Sequence, residues 1–255
     1  MDNFLETLKQ VEAFTAENTV SVYCPISQTT LNFKPLTVNQ TKEMIKTRID
    51  TNPDLVQVGT SLANTYNNIV IENCVEGAEV AKKLTIIDRE VVLFELRVAA
   101  DPVYKVNDKE IDLSVIQKNI TEKKPNKKII SNTKKLNFKA GDVVIKLSIP
   151  TLEKDKQLNS ALTNLTKDKQ LNDILAEVLI TEACKYIDSL SFGDTNIEFD
   201  STTNSTNVLN IVQKLPSSVL NAISNHIETV KTYRNSLFSV DDELIELGSD
   251  FFSSI

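Results

Sequence analysis

Apolar residues in the first 19 positions recur at helical steps. Phe4, Leu5, Leu8, Val11 and Phe14 fall on one stripe, which predicts a short amphipathic helix. A helix of that length is marginal alone, so it is expected to dock on its own domain or on a partner. The period then drops to two. "VSVYCPIS" and "TLNFKP" read as strands joined by a polar turn from Ser27 to Thr30, and Pro35 ends the second. "LTVNQTKEMIKTRID" returns to the helical period, with Thr37 as N-cap and Gln40 at capping-box spacing. Asn52-Pro53 opens another helix, whose buried stripe is Leu55, Val58, Leu62, Tyr66, Ile69 and Val70. Glu76-Gly77 breaks it.

"TIIDREVVLFELRV", from Thr85 to Val98, sets five charges in an apolar run. Thr85 and Asp88 have capping spacing, with Asp in place of Glu or Gln. Asp88 and Glu90 lie where a helix dipole favours acids, and Arg97 where it favours a cation. The pattern predicts a helix from Ile86 to Ala99. Ile87, Val91, Phe94 and Val98 form its inner stripe, the charges mark its ends and wet one face, and Asp101-Pro102 stops it.

From Val103 to Pro150 the period is two again. "VYKV", "EIDLSVIQ", "KKIIS" and "VVIKLSIP" read as strands of a small antiparallel sheet with one wet face. Their turns are Asn107-Asp108, a lysine-rich loop and Ala140-Gly141. Beyond Pro150 the pattern is helical. "KDKQLN" occurs at 154–159 and again at 167–172, reading as two solvated helix beginnings. "LNDILAEVLITEACKYIDSL" reads as one amphipathic helix and "SFGDTNIEFDSTTNSTN" as a loop. Two further helices meet at Leu215-Pro216, before a tail that is acidic and then aromatic. The class is α+β. Residues 1–102 form an N-terminal hairpin with helices, 103–150 an antiparallel β region, and 151–255 a C-terminal helical region packed with the rest as one unit.

Composition narrows the chemistry. With 255 residues and 41% hydrophobic content the chain is long enough to bury a sizeable core. A net charge of −7 argues against a general nucleic-acid binder and against a surface for anionic lipid. No apolar run reaches the roughly 20 residues of a membrane span. The first residues lack the basic and apolar regions of a signal peptide. Cys24, Cys74 and Cys184 are odd in number and far apart, and read as reduced cytoplasmic thiols.

Candidate active groups are few. Asp88, Glu90 and Glu95 are possible acids and bases, but their places suit a capped structural helix. The single histidine, His226, stands in a helical pattern as a partly exposed residue, and no G-x-S-x-G elbow accompanies it. No C-x-x-C or H-x-x-x-H occurs, and Asp241-Asp242-Glu243 lacks calcium-loop spacing. "EKKPNKKIISNTKK" carries six lysines between Lys123 and Lys135 without arginine or interleaved aromatics, so it reads as a wet loop or a guarded edge strand rather than a base-stacking surface. Neither catalysis, metal, cofactor nor small-molecule substrate is expected.

Three segments together resemble a known family. "CPISQTTLNFKPLTVNQTKEMI" is similar to its N-terminal hairpin, where an F-x-P-[hydrophobic]-T-V step leads from strand to helix; Phe33 and Pro35 carry that step here. "LTIIDREVVLFELRVAA" resembles its central helix through Asp88, Leu93, Phe94, Leu96 and Arg97. "IDLSVIQKN" and "VVIKLSIPTL" resemble a strand pair ending in P-T-L, at Pro150-Thr151-Leu152. The family is the baseplate hub subunit, or hub assembly protein, of contractile-tailed phages of the T-even type. The likeness covers residues 20–155 in order. "LNIVQKLPSSVLNAISNHI" is loosely similar to its C-terminal helices, and the tail has no counterpart. The resemblance implies a non-enzymatic virion morphogenesis protein working in the host bacterial cytoplasm, either a structural subunit of the tail baseplate or a transient assembly chaperone for its hub proteins. Its partners would be other baseplate or hub proteins, with self-association possible. Phe4, Leu8, Phe251 and Phe252 are the candidate partner-facing residues.

Overall fold

The computed structural model describes residues 2–49, 55–106, 109–139, 141–167, 171–200 and 203–253. In chain order the elements are α1 (Asp2–Glu17), β1 (Val20–Cys24), β2 (Thr29–Phe33), α2 (Val38–Ile49), α3 (Leu55–Asn73), α4 (Ala78–Ala81) and α5 (Ile86–Ala100). Then follow β3 (Tyr104–Val106), β4 (Lys109–Ile111), α6 (Ser114–Glu122), α7 (Lys127–Ile130), β5 (Ser131–Phe138) and β6 (Gly141–Ser148). The rest is α8 (Leu152–Thr166), α9 (Leu171–Lys185), β7 (Ile187–Phe192), β8 (Thr195–Glu198), α10 (Ser205–Val212), α11 (Ser217–Leu237), β9 (Ser239–Val240), β10 (Glu243–Leu244) and α12 (Ser249–Ser253). The fold is α+β, helical with small antiparallel sheets.

Local chemistry accounts for many of these boundaries. Thr37 N–H donates to Gln40 Oε1 at 3.0 Å and Gln40 N–H to Thr37 Oγ1 at 3.2 Å, a reciprocal cap that starts α2. Thr85 and Asp88 cap α5 in the same way. Pro216 stands between α10 and α11, as its missing N–H requires. Asn52-Pro53, Asn107-Asp108 and Ala140 lie outside the described residues.

The largest sheet has the order β5-β6-β7-β8, antiparallel throughout. It differs from the sequence reading at both ends. Of "EIDLSVIQ" only Glu110 and Ile111 lie in a strand, β4, and Ser114–Glu122 turns helical, with Ile116 and Ile120 one turn apart on its buried face. "KKIIS" is a helical turn capped by Asn126, and the strand is the lysine-bearing stretch after it. "YIDSL" and the expected loop after it form β7 and β8. Gly193, at φ +56, makes the two-residue turn between them, a backbone that an L side chain rarely adopts. Alternation was masked here because β7 is buried at Ile187, Ser189 and Leu190 alike. The sheet therefore joins the 103–150 segment to the C-terminal one.

One buried cluster includes residues from all three segments, and α5 runs through it. Val91, Val92, Leu93 and Phe94 are all fully buried, so α5 is enclosed on every side rather than wet on one face. The tail closes over it. Phe251 and Phe252 are 0% exposed. Phe251 lies at 6.0 Å from Phe94 and 4.9 Å from Tyr104, ring centre to ring centre, and Phe252 at 5.8 Å from Tyr66. This corrects their assignment as a partner surface: they are core residues of this chain. Truncating Phe251 to alanine is expected to lower the unfolding free energy by about 3–5 kcal/mol in urea titration, the cost of emptying a buried aromatic site.

Candidate functional site

The N-terminus of α5 is a junction. Asp88 is fully buried. Its Oδ1 accepts from Ile26 N–H at 2.9 Å. Its Oδ2 accepts from Ser27 N–H at 3.2 Å and the Ser27 hydroxyl at 2.6 Å, and from Thr85 N–H at 3.2 Å and the Thr85 hydroxyl at 2.9 Å. One carboxylate thus caps α5 and holds the turn between β1 and β2. Burial pushes its carboxyl up from the usual range, and the hydrogen bonds from Ser27, Ile26 and Thr85 oppose that shift. Beside it, Ile86 N–H donates to Pro150 O at 3.1 Å and Leu152 N–H to Leu84 O at 2.8 Å. The Ile26-Ser27 turn, Asp88 and Pro150 thus meet at the start of α5; Pro35 follows the other end of β2. Phe33 is fully buried, and its strand continues into pairing with Cys74.

Arg97 makes the corresponding junction at the other end of α5. Its guanidinium is fully buried. Nε donates to Phe251 O at 3.0 Å, Nη2 to Val103 O at 2.9 Å, and Nη1 to Asp101 O. Its Cζ stands 5.4 Å from the Phe251 ring centre. The expected end-of-helix cation is present, but it also binds the tail.

A third group was not anticipated. Asp155 of α8, 3% exposed, receives Asn67 Nδ2 at 2.8 Å, Lys185 Nζ at 2.9 Å and Arg89 Nη1 at 3.4 Å. Burial pushes its carboxyl up, but Lys185 and Arg89 outweigh this and hold it below the usual range. Lys154, its neighbour, bonds to Ile187 O and lies 3.8 Å from Asp188. Burial pushes the Lys154 ammonium down to about 8. The first "KDKQLN" copy is therefore mostly interior, with Lys154, Asp155, Leu158 and Asn159 buried; 168–170 of the second lie outside the described residues. A sequence signal existed: Arg89, Asp155 and Lys185 each interrupt the apolar face of their helix.

The remaining candidates are spread through the fold. His226, on α11, is 2% exposed rather than partly open, against the Tyr186 ring. Neither ring nitrogen has a hydrogen-bond partner among the described residues, and burial pushes its pKa down. Glu90 pairs with Arg234 at 2.7 Å, and Glu95 accepts from Gln117 at 2.8 Å. The three thiols are buried and unpaired with one another, and burial pushes Cys184 up to about 12. Asp241 and Asp242 form an exposed turn with φ of 50° and 66°. Among the described residues no group of His, Cys, Asp and Glu is placed to hold a metal, and no helix is long and apolar enough to cross a membrane. The side chains of Phe4 and Leu8 lie outside the described residues, whereas Leu5, Val11 and Phe14 of the same helix are exposed.

Comparison with family models, with curated proteins and with solved structures finds no match to this chain.

Replacing Asp88 by alanine strands the buried Ile26 N–H and the buried Thr85 N–H and hydroxyl, at about 1–3 kcal/mol for each group left unsatisfied, while the exposed Ser27 turns to water. The expected loss is about 3 kcal/mol or more by chemical denaturation, above the roughly 0.5–2 kcal/mol of an ordinary cap. A second prediction concerns pH. Lys154 binds its proton less tightly when folded, so unfolding takes up protons between about pH 8 and 10.5, and its contribution to stability rises with pH across that window. The stability of the wild type relative to Lys154→Met is expected to increase there by up to about 3 kcal/mol, read from denaturation midpoints at several pH values.

Proposed function

We propose that this chain is a non-enzymatic structural subunit of a phage tail baseplate, in its central hub region. It would be built in the host cytoplasm and hold other hub proteins. The observation that carries this reading is the convergence at α5. The three segments that resemble the hub family are far apart in sequence, yet Ile26 and Ser27, Asp88, and Pro150 meet through the hydrogen bonds of one helix N-terminus. The resembling residues are thus those that set the fold. Asp88 and Arg97 are committed to backbone and capping partners, which suits a scaffold rather than a reaction.

The alternative is a transient assembly chaperone that leaves before the particle is complete. The enclosed tail favours the structural reading over this one, because Phe251 and Phe252 are locked in the core and offer no reusable apolar surface. The exposed Leu5, Val11 and Phe14 of α1 are the apolar residues that a permanent neighbour would cover. Partner binding through proteins alone, with no cofactor, nucleic acid or membrane, is part of the proposal.

Quantitative mass spectrometry of purified, DNA-filled particles tests it. The structural reading expects the protein at a fixed ratio to the hub proteins. Its absence from particles, with abundance in infected-cell lysate, would replace that reading by the chaperone.

A further inference from the structure

The four-stranded sheet has two open edges of opposite charge. Among the described residues, nothing outside the sheet bonds to the backbone of β5 between Asn132 and Phe138, or of β8 between Thr195 and Ile197. Thr133, Lys134, Lys135 and Asn137 are exposed on one edge, and Thr195, Asn196 and Glu198 on the other. Such edges carry unpaired N–H and C=O groups that template a further strand.

Their charges differ sharply. Residues 114–139 hold eight lysines and one glutamate in a chain whose net charge is −7. All eight lysines are exposed. Lys134 has no hydrogen-bond or ion-pair partner among the described residues, and Lys135 meets Asp142 at 2.6 Å. Around β8 the balance reverses: between Lys185 and Lys214 there are four acids, Asp188, Asp194, Glu198 and Asp200, and no cation.

We infer that copies of this chain join head to tail, the lysine edge β5 of one pairing with the acidic edge β8 of the next. Charge selects this arrangement. Pairing β5 with β5 sets lysine against lysine across strands, which is unfavourable, and β8 with β8 gathers Asp194 and Glu198 of the two copies at each end of the strands with no cation between them. Lysines on an edge guard against like edges while accepting an acidic one. Direction agrees. In an antiparallel sheet of four strands β8 runs opposite to β5, so a second copy in the same orientation continues the antiparallel alternation. The contact is heterologous, which builds a ring if its rotation closes and a filament if it does not. It rests on a four-residue strand, so it is concentration-dependent and weakened by salt.

By register Lys135 and Glu198 fall on the same face of the continued sheet, so sedimentation velocity with Lys135→Glu and Glu198→Lys tests this. The wild type should gain mass with concentration at low salt and lose it at high salt. Each variant alone should stay a monomer, having one disabled edge. Mixed, they should regain growth with concentration, because each retains the edge the other lacks and the two reversed edges again set a carboxylate against an ammonium. The neutral pair Lys135→Gln and Glu198→Gln replaces them if charge reversal lowers the melting temperature. A wild type that stays monomeric at millimolar concentration, or folded variants that remain monomers when mixed, would overturn the inference. A wild type that shifts only when short DNA is added would instead assign the lysine edge to a nucleic acid, and also overturn it.

Discussion

A carboxylate taken out of water must be met by donors, and at Asp88 those donors come from two separate parts of the chain. Thr85 begins the helix that carries Asp88. Ile26 and Ser27 form the turn of a hairpin some sixty residues earlier. Neither set alone satisfies the buried charge. The turn fixes where α5 starts, and α5 fixes where the hairpin lies. Arg97 imposes the same kind of condition at the far end, where a buried guanidinium takes carbonyl partners from Asp101, Val103 and Phe251. Between these two polar ends, α5 supplies Val91 to Phe94 to the core, and the strands and tail helix close around it.

Legibility in the sequence followed how locally each feature is determined. The caps at Thr37 and Thr85, the break at Pro216 and the period of β1, β2 and β6 depend on residues within a few positions, and each reads off the chain. The strands β7 and β8 do not. β7 is covered on both faces, so it shows no alternation, and its hairpin depends on the positive φ of Gly193. In "EIDLSVIQ" the short apolar run fits a strand or a helix equally, and the outcome is a helix because Ile116 and Ile120 reach the core one turn apart. The tail misled for a related reason. A run of Phe251-Phe252 near an acidic stretch looks like a surface anchor, but what it anchors is Arg97 and Phe94 of the same chain.

The candidate site was legible as positions but not as an arrangement. Asp88, Arg97 and Pro150 stand out by motif, whereas their meeting with distant partners at the two ends of α5 is a tertiary fact; Phe33 instead pairs with Val20 and Cys74. The cluster of Asp155, Arg89 and Lys185 escaped notice because a buried ion pair is visible only when its partners are known to face one another. Polar groups are thus concentrated where the core is built. Outside the core, the lysine-rich edge and the acidic edge leave strong, separated charge on the surface, which governs encounter and partner choice more than stability. The separation of the two signs is what the proposed head-to-tail pairing would use.

The most direct test of the role given to Asp88 is native-state hydrogen exchange of the Ile26 and Ser27 amides, followed by nuclear magnetic resonance across a denaturant series. If the carboxylate ties hairpin to helix, both amides exchange only with global unfolding, with the same free energy and denaturant dependence as the core of α5. Fast exchange through a local opening of the turn, while α5 stays protected, would contradict the account.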